Sequence, residues 1–198
     1  MSKLPRLGIL GSGAGSNCQS ILDAIDEGSL VAEVALVLSD NPDAFILERA
    51  KQRGIPAYTI DCRGFKQKFP IESQESVVHQ LQDLDVDLVC LAGFMRLIGQ
   101  PLLSAYPNRI LNIHPSLLPL FPGLHAWEQA IQAKATQSGC TVHYVDLGMD
   151  TGSIIEQACV PAYEDDTPTS LHARIQEQEH IIYPSAIRKV LKKLGVAS

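Results

Sequence analysis

Apolar positions along this chain recur with two periods, and the changes from one to the other mark out its elements. An apolar run over 7–10 stops at Gly11, and over 16–27 the apolar positions Ile21, Leu22 and Ile25 fall at helical spacing. Residues 31–38 predict a second strand, closed by the turn cluster Ser39-Asp40-Asn41-Pro42. A helix is expected over 43–52 with Gly54 as its cap, then a short strand over 57–60, a polar loop and a helix over 72–84. The most apolar strand spans 86–92 and runs into Gly93-Phe94-Met95-Arg96. A brief helix over 101–105 precedes a strand at 110–114. After Leu124 a helix runs to 133, strands follow over 140–145 and 153–160, and a long helix starts after Thr167, with Pro168 in its first turn.

Strands and helices alternating in this way predict an α/β class, a doubly wound and mostly parallel sheet with helices on both faces. No repeat, low-complexity segment or linker interrupts 1–198, so one domain is expected. The 45% hydrophobic and 19% charged content is that of a globular chain. A net charge of −6 argues against a nucleic-acid or anionic-membrane surface, and no apolar run approaches the roughly 20 residues of a membrane span. The N-terminus passes straight into a strand, which fits a cytoplasmic protein without a targeting segment. Five scattered cysteines without C-x-x-C spacing read as buried, reduced thiols, which leaves a cysteine nucleophile disfavoured.

Candidate chemistry collects at strand ends. Asn112 and His114 are two apart on a strand, so an amide donor and a titratable imidazole face the same side. That pair suits polarising a carbonyl and moving a proton. The Gly11-Ser12-Gly13-Ala14-Gly15-Ser16-Asn17 loop joins the first strand to the first helix. It fits a phosphate monoester cradle, a bare tight turn, or an imperfect dinucleotide fingerprint that Asp40 would complete. At the end of the 86–92 strand, Met95 and its apolar flank can bracket a flat ring, and Arg96 can meet a carboxylate. Asp150, in a loop with Gly148 and Gly152, would favour imidazolium if it lies near His114, and Asp146 is a weaker competitor. His143, on a strand between Val142 and Tyr144, reads as a satisfied structural histidine. His79, His125, His172 and His180 show no metal-ligand spacing, so no metal is expected. Arg63, Lys66 and Lys68 read as a solvated basic loop that can supplement a phosphate site. The absence of G-x-S-x-G leaves a serine hydrolase unsupported.

Asn112-x-His114-Pro115-Ser116-Leu117-Leu118-Pro119, with Asp150 downstream, resembles the folate-dependent formyltransferase family. Gly13-x-Gly15-Ser16-Asn17, Phe121-Pro122-Gly123, Ala92-Gly93-Phe94-Met95-Arg96 and Gln176-Glu177-Gln178-Glu179-His180-x-x-Tyr183-Pro184 are similar to its purine-pathway branch, so the resemblance spans nearly the whole chain. It implies a Rossmann-like fold with antiparallel C-terminal strands, and formyl transfer from formyltetrahydrofolate, a reduced-folate co-substrate, to the amine of glycinamide ribonucleotide. It further implies that Asn112, His114 and Asp150 are catalytic. Gly13, Gly15, Ser16 and Asn17 would hold phosphate, and Met95, Gln176 and Glu179 would line the ribonucleotide side. Leu91, Arg96, Leu97, Ile98, Asn112, Asp146, Leu147 and Gly148 would form the folate pocket. No metal is implied, and either a monomer or a homodimer is compatible.

Two positions and one segment depart from the pattern. Leu120 stands where a basic residue is common, Thr141 where Ser is frequent, and 61–75 matches poorly. A folate-hydrolysing member would need water in place of the amine and is usually preceded by a further domain. A member acting on tRNA would need an RNA-binding domain and a basic surface. A non-catalytic nucleotide module would need no Asn112, His114 and Asp150.

Overall fold

The middle strand of the parallel part of the sheet is β1 (Arg6–Leu10), flanked by β2 (Glu33–Ser39) and β4 (Leu88–Leu91). Adding β3 (Ala57–Thr59), β5 (Ile110–His114), β6 (Gln137–Tyr144) and β7 (Ile154–Pro161) gives seven strands in the order β3-β2-β1-β4-β5-β6-β7. The first five pair in parallel, whereas β5–β6 and β6–β7 are antiparallel. This computed structural model describes residues 3–65 and 68–196.

Among the described residues six helices connect and cover the strands: α1 (Ser16–Asp26), α2 (Phe45–Gln52), α3 (Ile71–Asp83), α4 (Gln100–Ala105), α5 (Ala126–Gln132) and α6 (Pro168–Lys193). Strand alternation sorts them into two layers. Leu7, Ile9, Val37, Cys90, Leu111 and Ile113 point into one core with α1, α2 and α6. Leu10, Leu36, Leu38, Val89, Leu91 and Ile110 point into the other with α3 and α4. Because Leu111 and Ile113 take the first face, Asn112 and His114 are sent to the second, at the carboxyl end of β5.

Element boundaries shift where local hydrogen bonds compete. The helix predicted from 43 starts at Phe45, because Asn41 first closes an Asx turn: its side chain accepts the Asp43 N–H at 3.1 Å, and its carbonyl accepts that of Ala44. Likewise α5 waits until Ala126, since His125 is left-handed at φ 56°. The strand expected over 140–145 begins at Gln137, where pairing with Pro161 of β7 extends it. In α6, Thr167 and Ser170 form a reciprocal capping box. That helix continues through Pro184, although an interior proline costs about 3 kcal/mol. Packing supplies the compensation: Ile182, Tyr183, Ala186, Ile187, Val190 and Leu191 are all buried around it.

Candidate active site

The antiparallel register of β5 and β6 sets Asn112 directly across from His143, and His114 across from Thr141. Cross-strand neighbours on one face touch. Asn112 Nδ2 accordingly lies 3.2 Å from His143 Nε2. His143 Nδ1 is 2.9 Å from the Tyr144 carbonyl, so that nitrogen carries the hydrogen and Nε2 is left as an acceptor for the amide. Burial pushes the His143 pKa down, which keeps the ring neutral. The Asn112 amide is thereby oriented, with a second N–H and its oxygen to spare.

His114 is only 5% exposed. Its Nε2 lies 2.9 Å from the Phe121 carbonyl, which can only accept, so Nε2 is protonated. Its Nδ1 faces Asp150 Oδ2 at 3.4 Å. Asp150 Oδ2 also accepts the Gly123 N–H at 2.8 Å, and its Oδ1 is 3.6 Å from His143 Nε2. Asn112, His114 and Asp150 thus converge, with His143 as a fourth member that the sequence reading leaves as structural. The signal that would have revealed it is the β5–β6 register, together with the bulge at Val142/His143.

Two loops hold this cluster. Asp150 takes a left-handed φ of 56° in the β6–β7 connection, whose neck is tight: a Cβ on Gly152 would lie 1.7 Å from the Tyr144 carbonyl oxygen. Asp146, expected as a competitor of Asp150, instead accepts from Gly148 N–H at 3.0 Å and Thr151 Oγ1 at 2.7 Å, and so braces its own loop. Beyond His114, Thr141 Oγ1 donates to the Ser116 carbonyl at 2.6 Å and accepts from Leu118 N–H and Gln157 Nε2. Leu120, at a position where a basic residue is common in the pattern, points outward at 56% exposure while its carbonyl accepts from Ser116 Oγ.

On the opposite side, Gly15 caps α1 in a left-handed conformation (φ 73°) without a side-chain cap. The N–H groups of Ser16 and Asn17 in the first turn have no intrahelical acceptor, which favours an anion there. Gly13 leaves open space where a Cβ would project. Asn17 Nδ2 donates to Glu179 Oε2 at 2.9 Å, joining the loop to α6. Glu179 is 4% exposed, and burial raises its pKa. Gln176, Glu179 and Tyr183 share one face of α6 by their spacing of three and four. Tyr183 anchors that face, its hydroxyl 2.8 Å from the Leu91 carbonyl and 3.3 Å from that of Leu111.

At the end of β4, Met95 and Leu97 are exposed, and Leu91 and Ile98 are buried beneath them. Leu147 is exposed on the β6–β7 loop. The Arg96 side chain does not stand free for a ligand carboxylate: its Nε pairs with Asp40 Oδ2 at 2.6 Å, and its Nη1 donates to the Phe65 and Lys68 carbonyls. Asp40, which would serve a dinucleotide ribose, is spent on Arg96 and on Ser12 Oγ. Arg63 and Lys68 are exposed on the adjoining loop, and Lys66 lies outside the described residues. Burial pushes the Cys18 and Cys140 thiols up to about 12, far from a thiolate nucleophile at neutral pH. Among the described residues no group of three or more His, Cys, Asp or Glu is placed to hold a metal ion, and no helix is long and apolar enough to cross a membrane.

A model of the formyl transferase family matches residues 5–187. The phosphoribosylglycinamide formyltransferase of Bacillus subtilis is 42% identical over 188 residues, covering 95% of both chains. A trifunctional purine biosynthetic protein of Drosophila melanogaster is 42% identical over 195 residues, covering 98% of this chain and only 14% of that much longer one. Among solved structures, glycinamide ribonucleotide transformylase 1 of Symbiobacterium toebii superposes with a TM-score of 0.89 at 50% identity, covering 93% of this chain and 86% of that one.

Proposed function

The chain belongs to the formyl transferase family, and from that premise we propose that it transfers the formyl group of formyltetrahydrofolate to the amine of glycinamide ribonucleotide. The observation that carries this reading is the meeting of Asn112, His114 and Asp150 at the end of β5, flanked by the uncapped start of α1. An anion at Ser16 and Asn17 on one side and an apolar rim of Met95, Leu97 and Leu147 on the other suit a ribonucleotide phosphate and a flat folate ring.

In this mechanism the amine nitrogen attacks the formyl carbon, and the carbonyl oxygen becomes an oxyanion. The free N–H of Asn112 donates to that oxygen, and the imidazolium of His114 lends its charge from a nearly solvent-free position. Both ring nitrogens of His114 already have protein partners, so its Nε2–H reaches the oxygen only as the Phe121 carbonyl gives way. Asp150 favours the charged imidazole and accepts the proton that the attacking amine sheds. As the tetrahedral centre collapses, the bond to the folate nitrogen breaks and a proton is delivered there. Glu179 and Gln176 face the amine side and orient it. Holding both substrates side by side supplies much of the acceleration.

Purified protein given both substrates is expected to form formylated ribonucleotide, with loss of formyltetrahydrofolate in equal amount. Folate loss without formylated ribonucleotide would identify a hydrolase, and no turnover by folded protein would overturn the assignment.

A further inference from the structure

The ion pair of Asp40 and Arg96 is almost wholly buried, with side chains 9% and 6% exposed. It sits where four segments meet beyond the carboxyl ends of the strands. Asp40 Oδ1 accepts from Ser12 Oγ at 2.5 Å, at the entry to the phosphate loop. The same hydroxyl accepts the Met95 N–H at 2.9 Å, tying that loop to the segment after β4. Arg96 then spans outward, its Nη1 donating to the Phe65 carbonyl at 2.8 Å and to the Lys68 carbonyl at 2.6 Å. A guanidinium is suited to this because its donors form a rigid fork and it never loses its charge.

We propose that Arg96, held by Asp40, is a positioning residue shared by both substrate sites. It fixes the basic loop carrying Phe65 and Lys68 against the phosphate loop, and so sets affinity for the ribonucleotide although it lies in the segment that forms the folate side. The inference builds on the formyl-transfer reading, but its structural half does not depend on it. A residue that only donated to a folate carboxylate would need an outward guanidinium, whereas this one turns inward onto two backbone carbonyls.

Arg96→Lys keeps the charge beside Asp40 and loses the fork. Cys62, buried in the loop that Arg96 ties down, reports on loop release, and the exposed Cys159 serves as an internal standard. In Arg96→Lys, a thiol reagent is expected to label Cys62 about tenfold faster relative to Cys159, with Cys18, Cys90 and Cys140 still protected. KM for the ribonucleotide, or the Kd for ribose 5-phosphate as a probe, should rise at least about fivefold with kcat changed less, since the reacting groups are untouched. Asp40→Asn, which keeps the Ser12 contact, should move both readouts the same way. Unchanged Cys62 labelling, or a rise in folate KM alone, would overturn the proposal. A wild-type protein that binds ribose 5-phosphate but forms no product would instead count against the formyl-transfer reading, and the labelling would still decide the role of Arg96.

Discussion

The partner of each ring nitrogen distinguishes the roles proposed for the side chains at the end of β5. Nε2 of His114 faces the Phe121 carbonyl, and the Asp150 carboxylate is set against the other ring nitrogen. Asp150→Asn keeps an oxygen for the Gly123 N–H and removes the charge, so it should cut kcat by about 10²–10³ while leaving the unfolding midpoint close to wild type. His114→Ala and Asn112→Ala should fall in the same range, and a wild-type rate in any of the three would remove that residue from the mechanism. Thr141 acts at one remove. Thr141→Val keeps the shape but leaves the Leu118 N–H without its acceptor and the Ser116 carbonyl without the hydroxyl that donates to it, a loss of about 1–3 kcal/mol in denaturant unfolding. Thr141→Ser should restore it. Asn112, His114 and Asp150 were legible because strand alternation and turn glycines are local signals. His143 and Arg96 were not, because their partners lie 31 and 56 residues away in the chain and are set by sheet order.

At the scale of elements, boundaries were legible to within a few residues and the misses share a cause: a backbone or side-chain hydrogen bond that periodicity does not encode. The Asx turn at Asn41 and the left-handed His125 both delay a helix in this way. The antiparallel direction of β6 and β7 was not readable from their short apolar runs and entered only through the family resemblance. Gly15 shows how tightly one junction is built. It is left-handed, and a Cβ there would lie 2.7 Å from the side chain of Ile46, so α1 can approach α2 only with glycine at this point. Gly15→Ala should lower stability by at least about 1 kcal/mol and displace the first turn of α1. The separate expectation is that ribose 5-phosphate binding weakens more than folate binding, measurable by calorimetry with each ligand alone. Equal weakening of both would mean that the damage spreads beyond the phosphate loop.

Between about pH 7.5 and about pH 5.5 the acid response of the whole molecule is set by buried groups, because the Asp166–Arg174 ion pair holds the Asp166 carboxyl far below that range. Desolvation holds the pKa of His143, His172 and His180 below the ordinary 6.5. As pH falls through 6.5 the unfolded chain takes up protons that the folded histidines refuse, so stability decreases until the lowered folded values are reached. Buried Glu179 works the other way. Its folded pKa lies above the ordinary 4.5, so its contribution to stability is present at low pH and lost as pH rises through the raised value. Three histidines against one carboxyl predict lower stability at about pH 5.5 than at about pH 7.5. His172 can be isolated from the others, because its ring stacks on Trp127 at 3.9 Å with the planes 16° apart. Trp127 is the only tryptophan of the chain, so its fluorescence follows both unfolding and the state of this stack. His172→Phe keeps a flat ring against the indole and removes the titrating group. Urea unfolding at the two pH values should therefore show a smaller loss on acidification in His172→Phe than in wild type. An unchanged loss would assign the acid sensitivity to His143 and His180, where protonation would charge a buried ring beside His114 or within the α6 face.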